Sequence, residues 1–583
     1  MMHAKPDASA DEARDTAAPV GNLGSAVSRD ADAGAGAASG MRAPFAMREL
    51  ASIAPVLALA ACGGGDSDQG APVVTLPVPS EPMPTAAQAS RLLGQATMGA
   101  TREEIARVQQ LGYEGWLNEQ FNAPREIRLW DWMVGAGYAD PAYINDLRGY
   151  DIAVWRQLIS ARDQLRQRVG MALLEILVVG IGGLTSQWKA FAGAAYLDVL
   201  MDGAFGNYRT LLEQVSLNPA MAQYLTFLDN RKANPSTGSV PDENYARELL
   251  QLFTIGVHRL NPDGSVQGGA TPVESYGQDD VSGLARVFTG FGYDNSDGSA
   301  LNRLRRPLVV NAGQHEPGVK AFLGAAIGGA DGITDLRAAL DAIYAHPNLA
   351  PFVSKQLIQR LVTSNPSPGY VQRVGAVFQN NGASVRGDLR AVVRAILLDT
   401  EARSEALATQ PGFGKLREPI MRLTGWARAF GATSPSNSWP IGDTSDPRNR
   451  LGQSPGRSPS VFNFFRPGYT PPNTAIAAQS LVAPEFQITN ELSVVGYLNY
   501  MQTLTGAGIG DFRANYTEIQ AKATDAQALV DDVNLLLAGG QLVAPNVATI
   551  RSAVESVAAT VPLSRVQIAI MLVMAAPEFV VQK

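Results

Sequence analysis

Apolar residues recur at intervals of three and four along most of the chain, the period of a helix with one buried face. In 347–362 the set Leu349, Phe352, Val353, Leu357 and Leu361 keeps this spacing and predicts a core-facing helix. The same period predicts helices over 207–228, 242–255, 335–344, 370–379, 388–399 and 562–575. The segment DIAVWRQLISARDQLRQRVGMALLEILVVG predicts a longer helix. Its second half is apolar nearly all round, so it belongs in the centre of the body, and Glu175 within it argues against a membrane span. Thr101-Arg102-Glu103-Glu104 reads as a capping box opening a helix that stops at Gly112, before a short one carrying Trp116, Leu117 and Phe121.

Strand signals are few. Asn261-Pro262-Asp263-Gly264 is a strong turn and predicts a short hairpin. Residues 307–311 and 319–323 are expected to pair around His315. Residues 431–474, rich in Pro, Ser, Gly and Asn, read as a long loop interrupted by VFNFF. Loops of that length in a compact body are usually functional or disordered. No repeat period is visible. The expected fold is mainly α: one large multi-helix globular body with a few short β-hairpins and a long Pro/Ser/Gly-rich loop.

The first 84 residues follow other rules. Residues 1–40 are rich in Ala, Asp and Gly with few large apolar groups, so a disordered leader is expected, or a start assigned upstream of Met41 or Met47. From Met41 a basic segment precedes an apolar run, Leu50 to Ala61, too short for the roughly 20 residues a spanning helix needs. It ends at Leu59-Ala60-Ala61-Cys62-Gly63, and Cys62 is the chain's one cysteine. Small residues before a lone cysteine after such a run are the pattern of a bacterial lipoprotein signal over 41–61. Cys62 would carry the acyl chains that attach the protein to a membrane. Gly63 rather than Asp favours the outer membrane, facing the periplasm or the cell surface. Residues 62–84 then form an acylated Cys and a Gly/Pro-rich tether, extended at about 3.1 Å per residue where Pro-rich. The expected helical domain is 85–583.

With 46% hydrophobic residues the chain has material for a large core, and with one cysteine it can form no internal disulfide. The net charge of −7 and the lack of a basic stripe argue against nucleic acid as a partner.

Familiar catalytic patterns fail on mechanism. Gly452-Gln453-Ser454-Pro455-Gly456 has the letters of a serine-hydrolase elbow, yet Pro455 lacks the N–H that an oxyanion hole requires, and no histidine follows His346. The histidines of the mature chain, His258, His315 and His346, have no metal-ligand spacing, and no metal is assigned. Asp294-Asn295-Ser296-Asp297-Gly298 lacks the distal Glu of a calcium loop and reads as a surface turn. Gly414-Lys415 is followed by Leu, which excludes a P-loop, and Gly506-Ala507-Gly508-Ile509-Gly510 opens no βαβ unit. No cofactor is identified.

The densest polar cluster is PDENYARELLQLF, 241–253. At 100° per residue, Tyr245, Ala246, Leu249, Leu250, Leu252 and Phe253 fall on one arc, with Glu243, Asn244, Arg247, Glu248 and Gln251 opposite. Two readings follow: a solvated face held by pairs such as Glu243–Arg247, or the wall of a pocket. In the second, Glu243 or Glu248 is a general acid or base, and Asn244, Arg247 and Gln251 hold substrate. His315, Glu316 and Lys320 form a second cluster that could assist, by moving a proton or binding an anion, or could simply pin a hairpin. Asp163, Arg166 and Arg168 read as structural ion pairs.

The strings DQLRQRV (163–169), AFGNYRTLLEQVSLNPAM (204–221), PDENYARELLQLFTIGV (241–257), HEPGVKAFLG (315–324), HPNLAPFVSKQLIQRLVTSNPSP (346–368), SVFNFFRPGY (460–469) and APEFVVQ (576–582) occur in one order. Together they resemble the bacterial family catalogued as domain of unknown function 1800, from about residue 88 to the C-terminus. Phe291 stands where the family pattern has Trp. The resemblance implies a large, often exported protein without an established activity, frequently encoded beside a second exported family similar to alkaline phosphatases and sulfatases. The leading expectation is therefore a lipid-anchored envelope protein that binds or assembles with such a neighbour. The alternative is an envelope-polymer hydrolase using a Glu on the ENYARE helix.

Overall fold

The computed structural model describes residues 83–329 and 331–583. The expected leader, signal, lipidated Cys62 and all but the end of the tether lie outside them. Thr85 opens the described body as a full capping box: its hydroxyl accepts the Gln88 N–H, and Gln88 Oε1 accepts the Thr85 N–H at 2.8 Å. The box expected at Thr101 is only half made. Thr101 Oγ1 accepts the Glu104 N–H, but the Glu104 carboxylate turns away to accept the Trp116 indole N–H at 2.6 Å. That bond folds the helix Arg102–Asn122 back across its break at Gly112, whose φ of 70° glycine tolerates without a Cβ clash.

The architecture is mainly α, with 24 α-helices and three two-stranded antiparallel sheets among the described residues. No described helix is long and apolar enough to cross a membrane. At the centre lie helices Gln164–Leu174 and Lys189–Gly203, packed on each other and buried along nearly their whole length. Helices Leu129–Gly135, Arg148–Ser160, Tyr208–Ser216 and Pro219–Tyr224 surround Lys189–Gly203. A second layer stacks Leu349–Leu361 against Pro368–Gln379 and Leu389–Leu398. Near the C-terminus Ala526–Ala538, Ala544–Glu555 and Pro562–Ala575 pack together, with Glu491–Gly506 on Pro562–Ala575.

The single long helix expected through 151–180 is two, Arg148–Ser160 and Gln164–Leu174. The Gln164 side-chain amide caps the open end of the first by donating to Ala161 O at 2.8 Å and Leu158 O at 3.3 Å. The second ends at Glu175, whose carboxylate is held in a buried ionic cluster described below. The expected hairpin between 307–311 and 319–323 is also corrected. Val309–Val310 pairs with Phe291–Gly292, while Val319–Phe322 turns back onto Ala325–Gly328. The intervening Leu323-Gly324 turn, both at positive φ, closes the second pair locally, and local closure costs less chain entropy than a pairing across His315. The turn at 261–264 does close a hairpin: Gly264 N–H bonds Asn261 O at 2.9 Å, and Leu260 bridges Val266. The third sheet joins Lys415–Leu416 to the C-terminal Val581–Gln582.

Candidate functional site

The ENYARE segment forms one α-turn, Asn244–Glu248, and then widens into a π-helical turn, Leu249–Thr254. Ile255 N–H reaches back five residues to Leu250 O at 3.0 Å, and the Thr254 hydroxyl bonds Leu249 O. Such turns are rare and concentrate at functional positions. Glu248, placed on the polar side, is buried although it precedes the π turn; within that turn the expansion slips the helical phase, and Gln251 and Leu252, read onto opposite arcs, are both half-buried.

The two glutamates meet opposite environments. Glu243 Oε1 accepts Ser282 Oγ–H at 2.6 Å, and Oε2 accepts Gln278 Nε2 at 2.7 Å and Arg247 Nη2 at 3.1 Å. The Ser282 hydroxyl, helped by Gln278 and Arg247, outweighs partial burial and holds this carboxyl below its ordinary value. Arg247, 41% exposed, also donates to Gln278 Oε1. Asn244 turns to Thr226, donating from Nδ2 at 3.3 Å. Gln251 is half-buried beside them. Glu243 thus ties the ENYARE turn to helix Gln278–Ala285. Glu248 is different: burial pushes its carboxyl up against the pull of Arg247, and Oε2 is enclosed with no hydrogen-bond partner.

His315, Glu316 and Lys320 lie across helix Gln278–Ala285, against its other neighbour, the strand Val319–Phe322. Gly283 lets that strand cross closely, since a Cβ there would stand 1.8 Å from Ala321 O. His315 is buried, with Nδ1 placed to donate to Thr289 O at 2.8 Å and Nε2 3.0 Å from Asp335 Oδ2. Lys320, fully buried, donates to that same Asp335 oxygen and to Glu316 O, with Nζ 3.3 Å from His315 Nε2. Burial would raise the Asp335 carboxyl, but the Lys320 and His315 bonds prevail and hold it below the usual range. Glu316 accepts Gly318 N–H and pairs with Arg286 at 3.3 Å; these outweigh burial and keep it low. No described hydrogen bond or ion pair joins this knot to Glu243, Arg247 or Glu248.

A third cluster escaped the sequence reading. Lys415 Nζ lies 3.2 Å from Glu418 Oε1, 3.1 Å from Glu485 Oε1 and 2.9 Å from Arg360 O. Arg360 pairs with Glu175 at 3.3 Å and stacks over Phe465, while Arg168 donates to Arg360 O. The Glu175 and Glu418 carboxyls face each other within hydrogen-bonding reach. Each of these six charged side chains is at most 8% exposed. Of Asp163, Arg166 and Arg168, read together as structural ion pairs, Asp163 holds Arg166 at 3.3 Å while Arg168 sits in this cluster. The cluster gathers the end of a central helix, the second layer, the segment 415–418 and residues of 453–485. Gln453, from the string tested as a hydrolase elbow, donates to Glu418 at 2.7 Å, and Ser454 is fully enclosed.

Residues 91–581 match the family described as Protein of unknown function (DUF1800). The chain belongs to that family. No curated protein and no solved structure gives a significant match. The match takes in all three clusters. Among the described residues no group of three or more His, Cys, Asp or Glu is arranged to hold a metal ion.

Proposed function

We propose that the protein is an exported, acyl-anchored component of the cell envelope, at the outer membrane on its periplasmic or surface side. Its helical body works as a binding or assembly partner of a phosphatase- or sulfatase-like exported protein. One observation favours binding over chemistry: two of the three candidate catalytic groups, Glu243 and His315, are already occupied. Both Glu243 oxygens accept hydrogen bonds, both His315 ring nitrogens have partners, and Lys320 is fully buried. A general base needs a free lone pair within reach of substrate. The string Leu59-Ala60-Ala61-Cys62-Gly63 supplies the address. Cys62→Ser is expected to move the protein from the membrane to the soluble fraction and to abolish labelling by radioactive palmitate. Unaltered fractionation would remove the anchor from this proposal. Affinity purification of the detergent-solubilised native protein tests the partner, which should co-purify from envelope extracts.

A second reading keeps one specific support, the enclosed, unpartnered Glu248 oxygen beside Arg247. A carboxyl raised by burial suits a general acid, with Arg247 orienting a negative group on an envelope polymer. Glu248→Gln copies the neutral acid, so protein abundance should hold. In the binding reading a deletion strain is complemented as well as by wild type; a hydrolase would lose about 10²-fold or more of its activity.

A further inference from the structure

A cleft of about 680 Å³ opens between the hairpin around 257–266, helix Leu349–Leu361 and the loops at 364–366, 467–468 and 480–482. None of the three clusters lines it, and its volume falls within the range of small-molecule sites, about 300–1,000 Å³. Val266, Phe352, Leu481 and Val482 give it apolar walls, and Val266 is 42% exposed. Phe352, Lys355, Gln356 and Gln359 reach it from one face of the helix, spaced at three and four.

Three polar groups in this cleft, on Lys355, Gln356 and His258, lack partners, while Gln359 and Asn365 are bonded to Ser364 O and to the Val482 backbone. Lys355 is half-buried and makes no hydrogen bond or ion pair among the described residues. Burial pulls its ammonium below the ordinary value, opposed only by Asp263. Asp263 stands on the exposed turn, where its Oδ1 already accepts the N–H and hydroxyl of Ser265 at 2.9 and 2.6 Å. Gln356 is 8% exposed with Oε1 unpartnered, and the enclosed His258 Nδ1 has no partner either. An apolar slot with one under-compensated cation suits a ligand with an apolar chain and a single negative head. The hairpin is a poor template for an added peptide strand, because Arg259 N–H and Gln267 N–H are committed to Val273 O and Arg259 O.

We infer that this cleft binds an amphiphilic carboxylate of the fatty-acid class, its chain along Val266, Phe352, Leu481 and Val482 and its head at Lys355. The site is independent of the proposed partner role and of the ENYARE turn. The test uses the full chain carrying Cys62→Ser, which needs no detergent, titrated with sodium dodecanoate below its micellar range by calorimetry. Saturable one-to-one binding is expected, weakening about tenfold for each two carbons removed from the chain. Lys355→Met should weaken dodecanoate about tenfold or more and leave dodecanol unchanged. Val266→Asp, at the exposed rim, should weaken dodecanoate without disturbing the fold, so the site remains testable if Lys355→Met folds poorly. Absence of saturable dodecanoate binding, or equal binding by both variants and wild type, would overturn the inference. So would displacement of dodecanoate by no chain length but by peptides with apolar C-termini.

Discussion

Glu418→Gln is expected to destabilise the protein by about 3–5 kcal/mol, the usual cost of breaking a buried ion pair from one side. Glu175→Gln is expected to leave stability at pH 7 unchanged or raised. The two carboxyls face each other inside one enclosed cluster, so their close approach disfavours both being ionised. Burial, the Glu418 charge opposite and its hydrogen bond raise Glu175 well above its ordinary value, against the attraction of Arg360 and Lys415. Burial would raise Glu418 as well, but Lys415, the Glu175 hydrogen bond and Arg168 outweigh it and bring that group down to about 2. Glu175 therefore carries the shared proton and Glu418 the charge that answers Lys415.

Gln at 175 keeps a donor toward Glu418 and an acceptor for Arg360. Gln at 418 removes the counter-charge of a lysine that is 1% exposed, leaving Glu485 as its ionic partner. The pH dependence separates the two. Glu418 is lowered in the fold, so its contribution is present above its unfolded value and lost as pH falls toward 2. Glu175 is raised, so the fold keeps a proton that the unfolded chain releases near 4.5, and stability is lost as pH rises from there. Denaturant unfolding of Glu175→Gln from pH 4.5 to 8 should lack that decline. Equal losses for the two substitutions at pH 7 would refute the shared proton.

Helix existence was legible because the apolar period of three and four acts locally. Residues 347–362 and 388–399 need no distant partner to declare a buried face, and helices stand there at Leu349–Leu361 and Leu389–Leu398. Pairing was not legible. The strand at 319–322 had two partners open to it, and the Leu323-Gly324 turn decided for the nearer. Phase failed where geometry changed: a π-helical turn depends on where carbonyls find donors, and nothing in LLQLFT announces it.

The ionic cluster was missed for a related reason. Arg168, Glu175, Arg360, Lys415, Glu418 and Glu485 come from four stretches, and each taken alone resembles an ordinary surface charge. The available signal was a charge set inside an apolar string, as Glu175 is in LLEILVV and Arg360 in LIQRLV. A side chain that should face solvent but lies on a buried face must find its counter-charge elsewhere in the chain. Even the loop over 431–474 follows this logic. It has neither helix nor strand, yet Trp439, Ile441, Leu451 and Phe465 are buried, and Phe465 packs on Arg360.

Asp335→Ala should cost about as much as Glu418→Gln, and it decides what His315 does. Asp335 sits in the first turn of helix Gly332–Ala345 and is the carboxylate answering the fully buried Lys320. Removing it strands an ammonium with one carbonyl and a histidine, at about 3–5 kcal/mol. Replacing both, Asp335→Ala with Lys320→Met, should recover much of that loss, because an apolar pair needs no counter-charge. The low Asp335 carboxyl adds stability that is present above the ordinary value of 3.8 and lost as pH falls below it, so wild type should weaken in acid more steeply than the double variant. His315→Ala should lose less than Asp335→Ala, since Lys320 and Asp335 still meet. If His315 pins the hairpin, its replacement lowers the unfolding midpoint and function falls only in proportion to folded protein. Lost function at an unchanged midpoint would instead make His315 a working group, and the occupancy argument for binding over catalysis would fail with it.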